Sequence, residues 1–150
     1  MKEVEIDISG RIDQKSYDSV IVMLAEDESL ENSVFLKSEL KRKVLNRNKD
    51  IKDVVEKVHC IMIYYCAKDY LNEISEMKIC PDCSSIKINH YLKFYFKGLK
   101  RFDKIKKRVK EISHASPCHK KALRIFRGKE KPKIIINKEM IMKLLKEDRK

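Results

Sequence analysis

Val4, Ile6 and Ile8 alternate with Glu3, Glu5 and Asp7, the period-two signature of a strand with one buried face. Val20 to Ala25 is a denser apolar run, bounded by Asp18 and by Glu26-Asp27-Glu28, and reads as a second, more deeply buried strand. Ser9-Gly10-Arg11 supports the turn or bulge between them, and Val34-Phe35-Leu36 supplies a short third strand. Three strands in the first 37 residues predict an antiparallel meander, and this constrains everything that follows.

The pattern then turns helical. Ser38-Glu39 opens a short helix through about Leu45, and Asn46-Arg47-Asn48-Lys49 marks a break. Ile51, Val54, Val55, Val58, Ile61, Met62 and Tyr65 recur at three- and four-residue spacing, predicting a long helix capped by Asp50 and ending near Met77. Val58–Cys66 is also apolar enough for a buried strand. Lys78–Cys80 reads as a fourth strand, and Ile88 through Ile112 carries a helical apolar stripe that Gly98 bends or splits. Ser116-Pro117 is a helix start and Gly128 its stop; Lys133–Ile136 is a strand and Asn137 caps a final helix. The order β-β-β-α-β-α-α-β-α predicts a single α/β domain over residues 1–150, with a mixed sheet and helices packed on it.

At 150 residues the chain can bury a core without disulfides, and five cysteines with no apolar leader predict reduced thiols in a cytoplasmic setting. The longest apolar run, Cys60 to Ala67, is too short to cross a membrane. No Walker loop, dinucleotide fingerprint, serine elbow or His-Glu-x-x-His is present, which disfavours those enzyme classes.

Charge is segregated. Residues 1–40 hold four Lys/Arg and ten Asp/Glu, net −6, whereas residues 84–133 hold seventeen and three, net +14, within an overall +12. So basic a segment gathers polyanions, RNA or DNA, and Lys104, Lys107, Arg108, Lys110, Lys120, Lys121, Arg124 and Arg127 are the candidate contacts. The competing reading is a protein-interaction module that docks an acidic partner. Tyr91, Tyr95 and Phe96 follow the core stripe, and Phe94 alone stands off it beside Lys93 and Lys97.

Cys80-Pro81-Asp82-Cys83, between a strand and a helix, admits three chemistries. It resembles the dithiol redox motif of the thioredoxin and glutaredoxin families, although about half the chain precedes it here. Cys80 and Cys83 are also half of a zinc site that two of His114, Cys118 and His119 would complete. Cys60 and Cys66, among apolar neighbours, read as core.

The third chemistry comes with a resemblance. Three antiparallel strands, then alternating helix and strand with a closing helix, resemble the ribonuclease-H-like fold over most of the chain. Asp7-Ile8-Ser9-Gly10-Arg11 is also similar to an archaeal family with that N-terminal signature. The ribonuclease-H-like resemblance implies magnesium ligands at Asp7, Asp82 and Glu39, with Glu139 or Asp148 on the last helix, for a phosphodiesterase or a degenerate relative of one. Read without the resemblance, Glu3, Glu5 and Asp7 are a solvated strand face.

Overall fold

The computed structural model of the protein describes residues 1–82 and 84–147. Strands β1 (Lys2–Ser9), β2 (Ser19–Ala25) and β3 (Glu31–Leu36) pair antiparallel, as their alternation predicts. Helices α1 (Ser38–Arg47) and α2 (Val54–Ala67) follow, then a 3-10 segment, Lys68–Glu73, and strand β4 (Ile74–Ile79). Helices α3 (Ser85–Tyr95) and α4 (Lys100–Asp103) lead to β5 (Lys106–Val109), helix α5 (Pro117–Phe126), β6 (Ile134–Ile135) and helix α6 (Lys138–Glu147). The six strands make one mixed sheet in the order β5-β4-β1-β2-β3-β6. β4 runs parallel to β1, β5 parallel to β4, and β6 parallel to β3.

The α/β class and the mixed sheet with three antiparallel N-terminal strands hold. Three expectations need correction. The helix predicted to reach Met77 ends at Ala67, and its cap position is Asp53, not Asp50. Residues 74–77 extend the fourth strand backwards, because that backbone finds parallel partners on β1 from Lys2 to Val4. The apolar stripe from Ile88 to Ile112 is not one helical unit. α3 stops at Tyr95, and Lys106–Val109 pairs with Glu76–Ile79 as an edge strand. Phe96 and Phe102 stack across that break with ring centroids 4.3 Å apart, so the stripe still points into one core.

Two cores lie on opposite faces of the sheet. Val4, Ile6 and Ile8 join Ile21 and Met23 in the larger one, which takes the buried sides of α1, α2, α3 and α6. Cys60 and Cys66 are fully buried within it, as expected. Val20, Val22 and Leu24 face the other way, where Cys118, Ala122 and Ile125 of α5 meet them and the partly buried Phe35 and Phe126 pack against the cluster. Cys118, Ala122 and Ile125 recur at four- and three-residue spacing and define the stripe by which α5 docks. Ser116 caps the helix by accepting from the Cys118 amide at 3.1 Å, with Pro117 at the first turn. Docking α5 over β1 and β2 puts its N-terminus above the far half of β1, where Asp7 stands.

Candidate functional site

β1 and β4 are neighbours and parallel, so their carboxyl ends bring Asp7 close to Cys80 and Asp82. β1 is a central strand rather than an edge, and α5 crosses it. Asp7 is therefore only 3% exposed, which corrects its reading as a solvated strand residue. A buried carboxylate needs donors. Oδ1 accepts from the Ile8 amide at 2.8 Å, and Oδ2 meets Nδ1 of His119, on the first turns of α5, at 2.8 Å. The His119 ring in turn stacks on that of exposed His114, with centroids 4.6 Å apart and planes 10° from parallel.

Asp82 adopts a left-handed backbone with φ 39, a strained state for a non-glycine residue. Burial first, and the Asp7 charge second, raise its carboxyl above the usual range. The Cys80 thiol lies 3.7 Å from Asp82 Oδ1 and is pushed up to about 12 by burial and then by the charges of Asp82 and Asp7. A low-pKa thiolate is what the dithiol redox reading requires, and Cys80 has the opposite environment. Site-resolved alkylation with iodoacetamide at pH 7 should accordingly leave Cys80 unmodified under conditions that label an exposed model thiol completely; rapid labelling would restore the redox reading.

The zinc reading fares no better among the described residues. Cys118 is buried against the sheet, its thiol 3.4 Å from both the Glu5 and Val22 carbonyl oxygens. Burial, followed by the Asp7 and Glu5 charges, raises its pKa. His114 stacks on His119. Cys83 lies outside the described residues. For magnesium, Glu39 stands on the exposed side of α1 with its carboxylate 3.4 Å from Lys43. Glu139 is in the first turn of α6, and Asp148 lies outside the described residues. Among the described residues no group of three or more His, Cys, Asp or Glu side chains comes together to hold a metal ion. With both Asp7 oxygens engaged and Glu39 turned to solvent, this donor set does not fit a two-magnesium centre.

The basic candidates divide into two groups. Lys107 folds back to donate to the Phe102 carbonyl at 2.7 Å with its ammonium over the Phe102 ring, and burial lowers its pKa. Arg108 pairs with Glu76 at 2.8 Å; Lys121 bridges Glu31 and Glu130; Arg124 reaches Glu130 at 3.3 Å. Lys104, Lys110, Lys120 and Arg127 are exposed. Lys120, Arg124, Arg127 and Lys129 surround a shallow dip of about 250 Å³ floored by Leu123, on the side of α5 away from the sheet. Lys129 was not among the sequence candidates, since its place on this surface follows from the turn at Gly128 (φ +76).

His119 is the residue whose place sequence reasoning missed: it entered as a zinc option, whereas the structure sets it against buried Asp7. The available signal was its position, next to Cys118 and three residues before Ala122, at the border of the docking stripe. Comparison with protein-family models, with curated proteins and with solved structures finds no match.

Proposed function

We propose that this chain binds nucleic acid through phosphates, on a ribonuclease-H-like frame whose carboxylate site has lost the magnesium chemistry of that fold. The observation that carries the reading is the basic surface of α5. Four cationic side chains, Lys120, Arg124, Arg127 and Lys129, converge on one dip, and Lys104 and Lys110 add exposed charge elsewhere in the same basic stretch. Glu130 offsets them locally, through Lys121 and Arg124, and Glu31 pairs with Lys121 beside it. Such a surface attracts a polyanion without reading its sequence. The frame itself is supported by the pairing of β1 with β4, which sets Asp7 beside Asp82 as the resemblance requires. The degenerate state is supported by the histidine that occupies Asp7.

Lys120→Ala, Arg127→Ala and Lys129→Ala combined should weaken binding of a fluorescent oligonucleotide by about 10-fold or more at 0.1 M salt and flatten its salt dependence by two to three counterions. Lys49→Ala with Lys52→Ala, exposed lysines outside this surface, should change neither. Equal affinities for all three proteins would reject the α5 surface. Binding of an acidic polypeptide in preference to nucleic acid would favour the protein-interaction module.

A further inference from the structure

We propose that His119, held by Asp7 and stacked on His114, is the general base of metal-independent RNA strand cleavage; this rests on the nucleic-acid-binding reading above. Asp7 takes Nδ1 of His119 at 2.8 Å and is itself fixed by the Ile8 amide, so the carboxylate cannot turn away. With Nδ1 donating to Asp7, the lone pair of the neutral ring lies on Nε2, at the opposite edge. The side chain is 24% exposed, so part of the ring is open to solvent. A buried carboxylate orienting a half-exposed imidazole is the arrangement by which a histidine accepts a proton in one fixed direction. His119 and the cations around the basic dip are carried by the same helix, with His119 next in the chain to Lys120.

RNA is the substrate class because it brings its own nucleophile. The 2′-hydroxyl is already held beside the phosphorus, which makes the attack intramolecular and leaves the protein to move protons. His119 Nε2 takes the 2′-hydroxyl proton as the 2′-oxygen forms its bond to phosphorus. The bond from phosphorus to the 5′-oxygen breaks, and that oxygen takes a proton from the ring of His114, whose centroid lies 4.6 Å from that of His119. The products are a 2′,3′-cyclic phosphate end and a 5′-hydroxyl end, and the two rings return to their starting states by proton exchange with solvent. In this scheme His119 and His114 are catalytic and Asp7 is a positioning residue.

The test uses the full chain in EDTA with an end-labelled RNA and the DNA of the same sequence. Both should bind, and RNA alone should be cut, leaving cyclic phosphate. His119→Ala should slow cleavage by about 100-fold or more with binding retained, and imidazole added to the buffer should restore part of the rate. Asp7→Asn should lower the rate and respond less to imidazole. His114→Ala, a change at an exposed ring, should slow RNA cleavage but not that of a ribonucleotide 3′-nitrophenyl phosphate, whose leaving group needs no proton. RNA bound yet intact in EDTA would overturn the inference and leave the binding reading standing. Cleavage appearing only with magnesium would overturn it and return Asp7 and Asp82 to metal ligation. Equal cleavage by wild type and His119→Ala would also overturn it, and failure to bind either strand would remove both readings.

Discussion

Gly10→Ala should cost about 4 kcal/mol of stability, the largest effect among the alanine replacements of the three glycines. Gly10 has φ +77, and a Cβ there would stand 1.9 Å from the Asp18 carbonyl oxygen and 2.8 Å from Cε2 of Phe126. The first contact is with backbone and cannot be relieved by a rotamer. It lies where the chain leaves β1 and returns to β2, so yielding would shift the register that places Asp7. The other two glycines calibrate the effect. Gly128 has φ +76 but open space around it, so Gly128→Ala should cost about 1 kcal/mol from the left-handed backbone alone. Gly98 has neither constraint, and Gly98→Ala should be neutral within about 0.5 kcal/mol or slightly stabilising. Urea denaturation of the three variants gives the series directly, and a Gly10→Ala protein as stable as Gly128→Ala would contradict the described turn.

Lys41 should add stability as pH is raised from about 8 to 10.5. Above about pH 9 the thiols of Cys66, Cys80 and Cys118, whose pKa values burial raises, oppose it, so the contribution is read from the difference between wild type and Lys41→Met. Lys41 is 0% exposed; its ammonium donates to Ser19 Oγ at 2.9 Å and to the Arg11 carbonyl at 3.1 Å. Burial lowers its pKa from 10.5 to about 8, against the opposing pull of Asp18 and Asp13. In the unfolded chain the proton stays on until about pH 10.5; in the folded protein it leaves near 8. Across that window the unfolded state binds more protons, so the folded state gains, by about 3 kcal/mol in all. Below pH 8 the cost of burying the charge is fully present. Lys41→Met keeps the buried stem without the charge and should remove this contribution. Lys41→Ala should destabilise by about 3 kcal/mol at pH 7, through a cavity and the loss of two hydrogen bonds. Wild type and Lys41→Met showing parallel stability profiles from pH 7 to 10.5 would refute the assignment.

Both residues show what the sequence disclosed and what it withheld. The turn at Ser9-Gly10-Arg11 was legible, because glycine between two apolar runs marks a reversal; the Asp18 carbonyl that forbids a methyl there is a tertiary fact. Lys41 stands three and four residues before Val44 and Leu45, in the buried stripe of α1, yet a lysine in a basic chain reads as solvated. The first three strands, the Ser116-Pro117 cap and the Asn137 cap followed from local chemistry, and the Met140 amide does donate to Asn137 Oδ1. Strand β5 did not, since Ile105, Val109 and Ile112 continue a helical spacing and its strand state depends on the exposed edge of β4. At the site, the proximity of Asp7 and Asp82 was conditional on β1 and β4 being neighbours, and they are. The burial of Asp7 was hidden because alternation along β1 says which residues share a face, not that α5 will return to cover it.

The reading of this protein as a binder of nucleic acid is tested most directly by the salt dependence of its affinity. A fluorescent single strand titrated with the full chain at several salt concentrations should give a plot of log affinity against log salt with a slope of about −3, the release expected when four exposed cations each engage a phosphate. A slope near zero, or no binding at the lowest salt, would contradict the account.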